Sequence, residues 1–115
     1  MVTMEELLDI SKQISEKESI LFGLRTSLEE TKKSIDEKRA KTYVYVTNLK
    51  GSDGKPTYSN ERLRENAIED LLAAEKEYQK LIETLKRCQF LLSEDTINVE
   101  HLKRVLEIKK LFVKN

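Results

Sequence analysis

A histidine with a partner, a thiol in a basic setting, paired carboxylates or a glycine-rich loop are the patterns through which a chain of 115 residues could do chemistry. The one histidine, His101, stands beside Leu102 with no second imidazole or thiol at a metal ligand's spacing, which makes it a surface or interface residue. The one cysteine, Cys88, falls on an apolar stripe between Leu85 and Leu92, the place of a small buried thiol. A reactive thiol needs an accessible electropositive setting, and only the neighbouring Lys86 and Arg87 would provide one.

The stretch Gly51-Ser52-Asp53-Gly54-Lys55-Pro56-Thr57 has the outline of a phosphate-binding loop. It fails in detail: two residues separate the glycines instead of four, Pro56 stands where a hydroxyl should hold magnesium, and no buried strand leads into it. Carboxylates are plentiful, but on solvated helices no cleft would split them into acid and base roles. The expectation is a protein that is not an enzyme, with no cofactor and no metal.

One cluster does carry a binding chemistry. Lys32, Lys33, Lys38, Arg39, Lys41, Lys50, Lys55, Arg62 and Arg64 are interleaved with Tyr43, Tyr45 and Tyr58. Cations that track a phosphate backbone, beside rings on which bases stack, suit sequence-indifferent binding of single-stranded nucleic acid. The competing reading is charged stems that solubilise the tip of a helical hairpin. One chain offers few contacts, so useful affinity would need several subunits and would fall steeply with salt.

The chain as a whole is balanced, with 21 basic and 21 acidic residues, so no global field drives it to nucleic acid or membrane. Charge is nevertheless zoned. Residues 1–30 carry 3 basic and 7 acidic groups, 31–55 carry 7 and 3, 56–100 carry 6 and 10, and 101–115 carry 5 and 1. Alternating blocks suit helices that pair head to tail.

The elements that must position these residues are helices. Charged residues reach 37%, aromatics 6%, Trp is absent and only three Gly and one Pro occur, a composition of long solvated helices rather than of a many-turned globule. Thr3 followed by Glu6 reads as a capping box. From there one heptad position holds Leu7, Ile14, Leu21, Leu28, Ile35, Thr42 and Leu49, and the position three residues on holds Ile10, Lys17, Leu24, Thr31, Lys38 and Tyr45. The expected helix covers about residues 4–49 and is about 65 to 70 Å long. Gly23 inside it would mark a close approach of another backbone or a tolerated neutral site.

Residues 50–59 hold most of the helix breakers and form the connection, with Ser59 or Asn60 as the next cap. The pattern resumes at Ala67, Leu71, Ala74, Tyr78, Leu81, Leu85, Cys88 and Leu92 and stays in phase through Val99, Leu102 and Leu106. Poor helix formers at Ser93-Glu94-Asp95-Thr96-Ile97-Asn98 suggest a break, giving a second helix over about 60–92 and a C-terminal helix over about 97–113. Thr42-Tyr43-Val44-Tyr45-Val46-Thr47 is rich enough in β-branched and aromatic residues to form a β-hairpin across 42–58 instead. The fold class expected is all-α: a single domain made of a long antiparallel helical hairpin, coiled-coil-like, with a C-terminal helix. Apolar residues outside its one seam, among them Ile20, Phe22, Phe90, Leu111 and Phe112, together with Leu21 and Leu24 where the apolar surface is broader than the seam, predict an oligomer interface.

No apolar stretch approaches the ~20 residues of a membrane span, and Met1-Val2-Thr3-Met4-Glu5-Glu6 is unlike a signal peptide, so no membrane partner and a cytoplasmic place in a bacterial or archaeal host are expected.

The run Lys38-Arg39-Ala40-Lys41-Thr42-Tyr43, the glycine-containing loop, Ser59-Asn60-Glu61-Arg62, then Ala67, Asp70, Glu77-Tyr78, Leu102, Leu106 and Lys109-Lys110-Leu111-Phe112 resembles small helical proteins of phage recombination and replication gene clusters. More distantly it resembles the phage recombination mediator family of UvsY, over about residues 35–112. That resemblance implies a non-enzymatic homo-oligomer that binds single-stranded DNA and recombination or host proteins, with Lys38, Arg39 and Lys41 before Tyr43 and Tyr45 at the DNA. The family has a Lys and an Arg two residues apart before paired tyrosines, so the spacing here departs from it. Two other expectations stand beside this one: a prefoldin-like helical chaperone or scaffold, and a phage-encoded inhibitor of a host defence protein.

Overall fold

The computed structural model describes residues 1–113. They form three helices, α1 (Met4–Asn48), α2 (Glu61–Ala74) and α3 (Lys76–Lys110), with no strand among the described residues beyond two isolated bridges. The chain is all-α, as its heptads require.

At the start of α1 the Glu6 N–H donates to Thr3 Oγ1 at 3.1 Å, which satisfies one orphan amide. The Glu6 carboxylate does not close the capping box; it lies 3.6 Å from Lys109 Nζ. The helix runs through Tyr43-Val44-Tyr45-Val46 to Asn48, so the β-branched stretch is helical and the hairpin alternative is reduced to one bridge between Lys50 and Pro56. Between them the loop closes tightly. Gly54 N–H donates to Gly51 O at 3.0 Å, Gly51 N–H to Lys55 O at 2.8 Å, and Gly54 sits at φ 78, the left-handed conformation that glycine adopts without steric cost. Asn60 then caps α2, its Oδ1 accepting from Leu63 N–H at 2.9 Å.

The second half departs from expectation in two places. No break occurs at residues 93–97: α3 passes through them, with the Thr96 hydroxyl donating to Leu92 O at 2.6 Å. Buried Val99 and half-buried Leu92 anchor that stretch, and packing overrides poor propensity there. A separate C-terminal helix is therefore absent. The interruption falls instead at Glu75, whose φ −87 and ψ 118 are extended. Glu75 N–H donates to Leu72 O at 3.1 Å and closes α2, while Glu75 O accepts from Gln79 N–H at 3.1 Å and opens α3.

The reason is phase. Leu72 and Tyr78 belong to one buried cluster, yet six residues of unbroken helix would turn them roughly 120° apart. One extended residue brings both inward. A continuous helix would bury Ala67, Leu71 and Ala74; the observed α2 buries Ala67, Ile68 and Leu72, and Leu71 and Ala74 face solvent. The larger side chains inside gain about 1.5–3 kcal/mol each over their exposed state.

Contacts divide the chain into two compact units, one formed by Met1–Leu28 with the stretch from Arg87 on, the other by Glu29–Lys86. The first is centred on Ile10, Ile14, Leu21 and Val99, with Leu92, Leu102, Val105 and Leu106 packed against them. Ion pairs Glu18–Lys103 at 3.9 Å and Glu6–Lys109 at 3.6 Å flank that core. The second unit is centred on Ile35, Val46, Ala67, Ile68, Leu72 and Tyr78, with Tyr58, Leu81, Ile82 and Leu85 around them. Here α1 has left its 3.5-residue register: Val46 is 1% exposed, whereas Tyr45, expected in the seam, is 58% exposed. A straight helix drifts against a heptad, and the drift selects the aliphatic side chain over the phenol.

Candidate interaction surfaces

The basic cluster lies wholly in the second unit, and the structure separates its members. Lys38 pairs with Glu75 and, at 3.0 Å, with Glu77. Hydrogen bonds to Glu75, then Glu77, hold the lysine above its ordinary range, and Lys38 in turn pulls the Glu77 carboxyl below its own. Arg39 pairs with Glu69 and donates to Tyr78 Oη at 3.0 Å; the Glu69 contact is the larger cause of its raised pKa. Arg64 donates to Tyr58 O at 3.4 Å, and Lys32 stands 4.0 Å from Glu29. Lys33, Lys41, Lys50, Lys55 and Arg62 form no ion pair among the described residues.

Nor do the rings form one platform. Tyr43 and Tyr45 are two residues apart in a helix, hence roughly 200° around its axis. Tyr43 lines a groove with Arg39, Arg64, Glu61 and Glu65, and Tyr45 lines another, of about 460 Å³, with Lys41, Leu71, Ala74 and Glu75. Carboxylates stand in both grooves. Residue types alone suggested a single cationic, aromatic surface; the helical spacing i, i+2 already contained its division.

No family model, curated protein or solved structure matches this chain.

The expected interface residues divide as well. Leu21 is buried in the core of the first unit and Leu24 is half-buried, so both serve the fold rather than an open surface. Ile20, Phe22, Phe90, Leu111 and Phe112 are exposed, Phe22 at 71% and Leu111 at 80%. Met4, Leu8, Ile97 and Ile108 are exposed with them. On α3 these residues are ordered. Phe90, Glu94, Ile97, His101, Arg104 and Ile108 follow a second 3-4 spacing, all solvent-exposed, with exposed Leu111 just past the helix end, while Leu92, Val99, Leu102 and Leu106 take the inward stripe. That second stripe, out of phase with the first, was present in the sequence and is the feature a single-seam reading passes over.

His101 is exposed within the outer stripe, and Cys88 is buried. Among the described residues no three His, Cys, Asp or Glu side chains are grouped to hold a metal ion. Among the described residues no helix is long and apolar enough to cross a membrane.

Proposed function

We propose that this chain is a non-enzymatic accessory protein that acts by binding, an antiparallel helical hairpin whose outer helix faces engage other protein chains, including copies of itself. The observation that carries the reading is the outer stripe of the first unit, where Phe90 at 63% and Ile97 at 68% exposure stand in heptad order on a helix whose opposite side already fills the core. Large apolar side chains left exposed in regular order on one helix face suit an interface. The ion pairs Glu6–Lys109 and Glu18–Lys103 support the antiparallel pairing, since their order reverses along the two segments. Sedimentation velocity tests the self-association: a mass above 13.4 kDa that rises with concentration is expected, and a monodisperse monomer at high concentration would remove it.

A second reading, favoured by one observation, is contact with single-stranded DNA, in line with the resemblance to phage recombination mediators. Lys41 and Tyr45 lie one helical turn apart in a single groove, and Lys41 has no ion pair there. Lys38 and Arg39, engaged with Glu75, Glu77 and Glu69, contribute less on this reading than Lys33, Lys41 and Arg62. A salt-sensitive mobility shift of an oligonucleotide, weakened more by Lys41→Ala with Tyr45→Ala than by Lys38→Ala, supports it. No shift at low salt dismisses it. A β-hairpin over 42–58 would favour the prefoldin-like reading, and α1 is instead helical to Asn48, which counts against it.

A further inference from the structure

From the order of charges along the outer stripe of α3, we infer that its occupant is the α3 of a second copy, running antiparallel, with Glu94 opposite Arg104 of the second copy and Arg104 opposite its Glu94. The inference rests on the self-association proposed above and names the surface, direction and register.

The stripe places Phe90, Ile97 and Arg104 at one heptad position and Glu94, His101 and Ile108 at the other. Core layers of an antiparallel pair of helices match one heptad position with the other, so only registers that differ by whole heptads keep both stripes in contact. In one of these, Phe90 meets Ile108 of the second copy, Glu94 meets Arg104, and Ile97 meets His101. Two-fold symmetry repeats all three. Apolar layers close both ends and opposite charges lie between them.

Sliding by one heptad in one direction sets Arg104 against His101 and carries Glu94 past the end of the second copy's α3, so that it has no partner. Sliding in the other sets Arg104 against Arg87 and Phe90 against His101. A parallel pair in register sets Glu94 against Glu94 and Arg104 against Arg104. Like charges or unpaired charges in the seam disfavour all three, so the sequence selects the first arrangement by exclusion as well as by attraction.

Two further observations agree. Among the described residues Glu94 and Arg104 form no ion pair within their own chain, and both are exposed. On one edge of the seam half-buried Leu91 would cover half-buried Val105 of the second copy. On the other edge Glu100 meets its own equivalent, a solvated repulsion that salt screens.

The test is a charge swap on the full chain, read by sedimentation equilibrium with far-UV circular dichroism as the control for folding. Glu94 and Arg104 lie outside both cores, so helicity stays unchanged. Glu94→Arg and Arg104→Glu each weaken association by at least about tenfold, and the double variant restores it. An oligomer indifferent to both single changes, or one the double variant fails to restore, overturns the register while leaving self-association standing. A wild-type chain that sediments as a monomer overturns both. Should a single variant lose helicity, Glu94→Cys with Arg104→Cys in a Cys88→Ser background decides: oxidation to a covalent dimer supports the pairing, and none refutes it.

Discussion

Glu75 interrupts a run, Leu72-Ala73-Ala74-Glu75-Lys76, in which every residue favours helix. What holds the interruption is partly Gln79, whose Nε2 donates to the carbonyls of Leu72 and Ala73 at the end of α2, at 3.4 and 3.3 Å. Lys38 is the other part, reaching both Glu75 and Glu77. Its pairing gives a pH dependence of definite sign. The lowered pKa of Glu77 contributes stability above its ordinary 4.5 that is lost as pH falls through the depressed value. The raised pKa of Lys38 contributes stability below its ordinary 10.5 that is lost as pH rises through the elevated value. Lys38→Met is therefore expected to lower urea-derived stability slightly between those extremes, since exposed pairs are weak, and to leave a shallower fall toward either one. Gly23 makes a second prediction at this scale. A Cβ there meets nothing within 4 Å, so it marks no close backbone approach, and Gly23→Ala should raise stability by about 0.4–1 kcal/mol in urea titration. Gly54→Ala, at positive φ, should lower it by about 1 kcal/mol.

At the scale of elements, the heptads made α1, the loop and the inward stripe of α3 legible, because Leu85, Cys88, Leu92, Val99, Leu102 and Leu106 keep one phase through a continuous helix. The α2 stripe was misplaced by one residue. Two overlapping patterns, Ala67-Leu71-Ala74 and Ile68-Leu72, are available there, and the choice depends on which face the rest of the second unit covers. No local signal marks Glu75, and the poor helix formers at 93–98 were a local signal that packing overruled. Truncation separates the two phases. Leu72→Ala should cost about 2–5 kcal/mol, the range for a buried leucine, while Leu71→Ala, at a side chain 43% exposed, should cost less than about 1 kcal/mol. Equal costs would mean that α2 buries the other stripe. The basic cluster was legible as residues but not as a surface, because Glu69, Glu75 and Glu77, distant in sequence, occupy Lys38 and Arg39.

For the whole molecule, α3 carries two stripes: Leu92, Val99, Leu102 and Leu106 hold the first unit together, and Phe90, Ile97 and Ile108 stand exposed on the face proposed to meet a second copy. The division predicts that association and folding respond to different residues of one helix. Val99→Ala, at 3% exposure, should lower thermal stability whatever the protein concentration. Phe90→Ser with Ile97→Ser tests the division most directly, by sedimentation equilibrium beside thermal unfolding of dilute protein. Loss of association with the dilute-state melting temperature retained is the predicted result; an unchanged oligomer, or a chain that no longer folds, would contradict it.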